Sequence, residues 1–242
     1  MRLDQYLVES GAFPTRNRAQ EAIKQGSITV NHKIATKASL DISETDLIEQ
    51  ATAGYVSRSG NKLADALLRH PFDLTGKNVL DLGASTGGFT QVALMQGASS
   101  VLAVDVGTLQ LEASLRNDPR VTSYENTDAR NLTADAIDRH IDLLLMDVSF
   151  ISGRKILASI LPILQPPFSA FVLIKPQFEV GLAHVGANGI VKNPRVIDTM
   201  LDEYRAFLRS YGCHIHDLFA CGFKGKEGNT EYFVVFEKTK DV

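Results

Sequence analysis

The sequence predicts an α/β protein: a seven-stranded, mostly parallel sheet with helices on both faces, preceded by a small α+β unit. Three observations predict it. From about residue 57 onward, short apolar runs alternate with helical patterns, as a parallel sheet covered on both faces requires. The last two apolar runs have no helix between them and are expected to pair as an antiparallel hairpin. The stretch before residue 57 instead carries two short helical patterns and one small strand–turn–strand pattern.

In the first unit, Leu3, Leu7 and Val8 share a helical face, and Pro14-Thr15 caps a second helix over residues 16–25 that Gly26 stops. Residues 27–30 alternate as a strand, Asn31-His32 turns the chain, and β-branched residues continue from Lys33 to Ile42. Residues 41–53 are acidic and then small and polar, which marks a linker. The expected domains are therefore 1–56 and 57–242. In the second, strands are expected at 78–82, 100–106, 121–125, 143–147, 170–174, 215–221 and 231–237.

Composition sets the class. The 242 residues are 44% hydrophobic and 22% charged, enough for one large core and one small one. Cys213 and Cys221 are too few for a disulfide framework and read as buried thiols in a reducing compartment. No run approaches the ~18 apolar residues of a membrane span, and the chain opens on Arg2, Asp4 and Gln5, so a soluble cytoplasmic protein with no membrane partner is expected. The net charge of −3 gives no global nucleic-acid signal, whereas residues 1–38 hold six bases against three acids. Of these bases Arg16, Arg18 and Lys24 fall on the second helix and are expected to meet phosphates, with a solvated helix face as the competing account. In Cys213-His214-Ile215-His216 the histidines share one strand face and the cysteine takes the other, so no metal is expected.

The segment Asp81-Leu82-Gly83-Ala84-Ser85-Thr86-Gly87-Gly88-Phe89 runs from the first strand of the large unit into a helix, which is where an open parallel sheet binds ligands. Its spacing departs from the dinucleotide fingerprint, and no Gly-Lys-Ser/Thr exists for a P-loop. Asp105 lies 22 residues beyond Gly83 at the end of the second strand, where an acid can accept from both hydroxyls of an adenosine ribose. Asp128, after the third strand, is placed to meet an adenine amino group. Taken singly, turn glycines and strand-end acids are ordinary; the ordered set points to an adenosine-bearing cofactor.

Tyr55 to Leu63 (YVSRSGNKL), the DLGASTGGFT loop, Leu145 to Phe150 (LMDVSF), Ile174 to Glu179 (IKPQFE) and Gly228 to Phe233 (GNTEYF) together resemble the TlyA family, whose members are ribosomal RNA 2′-O-methyltransferases related to FtsJ/RrmJ and often labelled hemolysins. The match spans about residues 2–237. Arg2-Leu3-Asp4, Arg16 to Ala19 and Gly26 to Asn31 likewise resemble an S4-type RNA-binding domain. The resemblance implies a class I (Rossmann-like) S-adenosylmethionine-dependent methyltransferase sheet, with S-adenosyl-L-methionine as cofactor and ribosomal RNA or ribosomal subunits as partners. It implies cofactor contacts from Asp81, Gly83, Ala84, Ser85, Gly87, Gly88, Phe89, Asp105, Asp128 and Asp147, and RNA contacts from Arg2, Arg16, Arg18, Lys24 and Lys33.

The family's Lys-Asp-Lys-Glu tetrad falls on Lys62, Asp147, Lys175 and Glu231. Asp147 and Lys175 are also singled out as ends of consecutive strands and Glu231 as the opening of the last; Lys62 comes from the resemblance alone. A ribose hydroxyl is a poor nucleophile and a sulfonium methyl a strong electrophile, so in-line placement and a base are what the reaction needs. Lys175 is expected to be that base, with Asp147 and Glu231 orienting the amines and Lys62 holding the hydroxyl. Their protonation states are coupled. Residues 176–194, rich in glycine, read as a lid beside Lys175. Two other classes compete: a membrane-lytic protein, disfavoured by the lack of any spanning segment, and a non-enzymatic ribosome-assembly factor, disfavoured by the complete tetrad.

Overall fold

The computed structural model describes residues 1–24, 27–31, 33–43, 45–50, 55–225 and 227–240, with the backbone alone for residues 33, 34, 49 and 50. The first unit contains α1 (Leu3–Glu9), α2 (Arg16–Lys24) and a sheet of β1 (Ile28–Val30), β2 (Lys33–Ile34) and β3 (Ile48–Gln50), in the order β2-β1-β3. Leu3, Leu7, Ala19, Ile23 and Ile28 close a small core of its own, with Val8 packed at its edge.

Strand β3 was not expected, because its residues lie in the acidic stretch read as a linker. Asn31 explains it. Its φ of 51° turns the chain, its side chain accepts from the Leu47 N–H at 2.9 Å and donates to Asp46 at 2.8 Å, and its own N–H donates to the Leu47 carbonyl at 2.8 Å. A staple between residues 31 and 47 leaves no local pattern. The second strand is correspondingly short, ending at Ile34 rather than running on to residue 42. Gly26, His32 and residues 51–54 of the linker lie outside the described residues.

The second unit runs α3 (Arg58–Arg69), β4 (Asn78–Leu82), α4 (Gly88–Met95), β5 (Ser100–Val104), α5 (Ala113–Arg116), β6 (Val121–Tyr124), β7 (Leu143–Met146), α6 (Gly153–Ile160), β8 (Phe168–Ile174), α7 (Pro176–Glu179), α8 (Pro194–Ser210), β9 (His214–Ala220) and β10 (Tyr232–Lys238). The seven strands lie in the order β6-β5-β4-β7-β8-β10-β9; β10 pairs antiparallel with both its neighbours, and the other pairings are parallel. The expected seven strands and terminal hairpin are present. Alternation along each strand feeds two cores. Leu80, Leu82, Val172 and Ile174 pack with Ile156, Leu157, Met200 and Tyr204 on one face, while Val79, Phe171, Leu173 and Phe233 pack with Leu63, Phe89 and Val92 on the other. Burial on both faces is why these strands read as continuous apolar runs.

Three strands stop sooner than their sequence pattern suggested, at Val104, Tyr124 and Met146. Asp105 and Asp147 thereby become the first residues beyond the sheet. Residues 176–194 are not one open loop. They hold α7 and two 3-10 turns, Leu182–His184 and Ala187–Gly189, and the Asn229 side chain pins the far end by accepting from Val191 N–H and donating to the Gly189 carbonyl. Among the described residues, no helix is long and apolar enough to cross a membrane, and no group of three or more His, Cys, Asp or Glu side chains is arranged to hold a metal.

Candidate active site

Sheet register assembles the site. Leu82 pairs with Val104 and Met146, and Ile174 pairs with Tyr232, so Gly83, Asp105, Asp147 and Lys175 each stand one residue past a parallel strand while Glu231 stands one residue before the antiparallel one. All five lie along one edge of the sheet, where the strand order reverses and open α/β sheets bind ligands.

Two lysine–carboxylate pairs line one cleft there. Lys62, from α3, reaches across to Glu231, Nζ to Oε2 at 2.6 Å, with both side chains largely buried. Lys175 Nζ lies 2.7 Å from Asp147 Oδ1 and donates a well-directed hydrogen bond to Ser149 Oγ, also at 2.7 Å. The ammonium of Lys175 thus stands between the Asp147 carboxylate and the Ser149 hydroxyl. Ser149 was not singled out by the sequence reading. Its signal was its place two residues beyond Asp147, on the same side of an extended segment. Phe150, with φ of 65°, is 91% exposed at the mouth of the cleft and rests on Phe178.

Beside this cleft, and sharing Gly83, Ser85, Asp147, Ser149 and Phe150 with it, is a cavity of about 490 Å³ that also takes in Asp105, Asp128, Val106 and Ile156. That volume suits a small-molecule site, for which ~300–1,000 Å³ is usual. Asp105 accepts from the Ser85 and Gly107 N–H groups, at 2.8 and 2.7 Å, which ties the glycine turn to the second strand and leaves further lone pairs facing the cavity. Asp128 is also on the wall, but Arg130 holds both its oxygens and keeps its carboxyl below the usual range.

The glycines of the turn serve mainly to bring protein segments together. A Cβ on Gly83, whose φ is 80°, would stand 2.6 Å from the Asp147 carbonyl oxygen, so glycine lets β4 and β7 converge. Gly87 makes room for Leu111 and Leu115, and Gly88 for Ser57 and Ser59 of the α3 entrance. Phe89 and Ala84, expected at the cofactor, are buried; Phe89 stacks on Phe233 with ring centroids 6.2 Å apart. Asp81 lies beneath the turn, fully buried. Its Oδ2 accepts from the Thr90 hydroxyl at 2.6 Å while Oδ1 has no donor. Burial pushes this carboxyl up to about 7 against the lowering effect of Thr90, with Asp147 and Asp105 adding to the rise. Apolar walls from Val104, Val106 and Ile156 beside the carboxylates of Asp105, Asp128 and Asp147 fit a cationic nucleoside.

In the first unit, Asp4 is buried and accepts from Arg2, Arg16 and Gln20, with Arg16 at 2.9 Å and Gln20 at 2.6 Å. The two guanidiniums sit side by side with about half of each side chain exposed, 45% and 52%. Arg18 pairs with Glu21, Lys24 is exposed, and the side chain of Lys33 lies outside the described residues. Cys213 and Cys221 are buried thiols, each pushed up to about 11 by burial.

The FtsJ-like methyltransferase family matches residues 55–238 and the S4 domain matches residues 1–48. The chain is 38% identical over 236 residues to the 16S/23S rRNA (cytidine-2′-O)-methyltransferase TlyA of Mycobacterium tuberculosis, covering 96% of this chain and 88% of that one. It is 31% identical to the 23S rRNA (cytidine-2′-O)-methyltransferase TlyA of Campylobacter jejuni, covering 98% of this chain and all of that one. A solved structure from Streptococcus thermophilus described as a hemolysin superposes with a TM-score of 0.75 at 35% identity, covering all of this chain and 89% of that one.

Proposed function

The chain belongs to the TlyA family of FtsJ-like methyltransferases, with an S4 domain ahead of the catalytic one, and from that premise we propose that it methylates the ribose 2′-hydroxyl of cytidines in ribosomal RNA. The observation that carries this reading is the sheet edge on which a carboxylate-lined cavity adjoins two lysine–carboxylate pairs.

S-adenosylmethionine, the cofactor of this family, supplies an electrophilic methyl on a positively charged sulfur. Asp105 would hold its ribose and Asp128, once released from Arg130, its base, while the carboxylate of Asp147 favours its positive charge. Lys175, once its ammonium has lost a proton to solvent, takes the proton of the 2′-hydroxyl as the neutral amine. Asp147, 2.7 Å away, stabilises the ammonium that results, and Ser149 fixes the direction of the amine. Lys62, steadied by Glu231, donates to the hydroxyl oxygen and leaves one lone pair directed at the methyl. Holding nucleophile and electrophile in line provides several of the ~7–11 kcal/mol available from proximity. The S4 domain contributes affinity through Arg2, Arg16, Arg18 and Lys24, and the target nucleotide leaves its stack to reach the cleft. An enzyme whose substrate is the ribosome works where ribosomes are, in the cytoplasm.

The test is transfer of labelled methyl groups to purified small and large ribosomal subunits, with the modified ribose mapped afterwards. Wild type is expected to label cytidine 2′-oxygens in at least one subunit, and Lys175→Ala to reduce transfer by ~10²-fold or more, as loss of a general base does. Absence of wild-type transfer to either subunit and to free ribosomal RNA would sink the reading and favour an assembly factor.

A further inference from the structure

Glu179 does not line the catalytic cleft, yet four groups converge on its carboxylate. Oε1 accepts from the Gly153 N–H at 2.6 Å and the Tyr204 hydroxyl at 2.7 Å; Oε2 accepts from the Ser152 hydroxyl at 2.6 Å and from Arg154 Nε at 3.4 Å. The side chain is 2% exposed. A buried carboxylate is tolerated only when its lone pairs are filled, and these bonds to a charged acceptor are the strong kind. Gly153 is shaped to the arrangement: a Cβ there would meet Tyr204 Oη at 2.5 Å and Met146 Cε at 2.7 Å.

The connectivity of these groups gives the cluster its meaning. Glu179 ends α7, the short helix that begins directly after Lys175. Ser152 and Gly153 open α6, and the segment leading to them carries Asp147 and Ser149. The chains leaving β7 and β8 therefore diverge at Asp147 and Lys175 and are joined again at Glu179, with Tyr204 of α8 as a third anchor. Resting on the reading of Lys175 as base, we infer that Glu179 is a positioning residue for catalysis: it clamps the segments that follow Asp147 and Lys175 so that the lysine amine meets both Asp147 and Ser149. The carboxylate acts through these partners and touches no reacting atom.

The experiment compares full-length wild type, E179A, E179Q, Y204F and S152A in methyl transfer to ribosomal subunits, together with a crystal structure of E179A. E179A is expected to lower kcat by ~10²-fold, the usual effect of about 1 Å of misplacement. KM for RNA and for S-adenosylmethionine should change by less than about threefold, because neither binding surface includes Glu179. E179Q, whose amide oxygen still accepts from Gly153 and Tyr204, should recover most of the loss. In the crystal, Lys175 Nζ should lie more than about 4 Å from Asp147. A folded E179A with wild-type kcat, or one whose losses fall on KM instead, overturns the clamp. So does an unmoved Lys175 amine in that crystal, a result independent of whether wild type methylates RNA. Should E179A not fold, Y204F and S152A each remove one arm: a several-fold loss of kcat at constant KM supports the clamp, and unchanged kcat in both overturns it.

Discussion

At the scale of single residues, the side chain that departs furthest from ordinary behaviour is Asp81, buried under the glycine turn and held up to about 7 by desolvation. An acid whose folded value is raised favours the folded state where it is protonated. That contribution is fully present below about pH 4 and is lost as pH rises through about 7, roughly 4 kcal/mol in all at about 1.4 kcal/mol per unit. Asp81→Asn is therefore expected to melt progressively higher than wild type as pH goes from 5 to 8; parallel melting curves across that range would count against it. Asp81 was legible as a member of the loop, since DLGASTGGFT follows a strand, but its burial was not. The tetrad was legible only because residues far apart matched one pattern in order: Lys62 and Glu231 are 169 positions apart, and nothing local to either announces their contact.

At the scale of elements, turns and ties decide the site. Gly83→Ala would place a side chain at φ 80° and against the Asp147 carbonyl. Strain alone costs roughly 1–3 kcal/mol, so a drop in Tm of several degrees is expected, with weaker cofactor binding by calorimetry because Asp147 must shift. Unchanged affinity would show that the approach of β4 to β7 is not what shapes the cavity. Asn229 ties residues 189 and 191 to the turn before Glu231. Asn229→Ala should speed limited proteolysis between residues 181 and 191 and lower kcat; identical digestion of the two proteins would reject that role. Most strands were legible, because apolar runs bounded by turns carry their own signal. Strand β3 was not: it exists through the Asn31 side chain, and its acidic surroundings resemble a linker.

At the scale of the whole molecule, the division of labour makes a separable prediction. Replacing Arg16, Arg18 and Lys24 together by alanine should raise KM for ribosomal subunits while leaving kcat at saturating RNA near wild type. The dependence of log affinity on log salt should flatten by up to ~2–3, at roughly 0.7–0.9 for each phosphate left without its cationic partner. A fall in kcat with an unchanged salt slope would place these residues in catalysis or folding instead. The sequence by itself determined the fold class and the glycine turn after the first strand of the large sheet, and resemblance in motif order singled out four polar residues, because periodicity and motif order are properties of the chain read in line. Only the tertiary structure decided that the turn glycines accommodate neighbouring protein, that Arg2 and Arg16 share a buried Asp4, and that Glu179 joins the segments that follow Asp147 and Lys175. Those facts depend on which surfaces meet across the sheet edge, and contacts between distant segments are set by packing and register, which no local pattern of residues encodes.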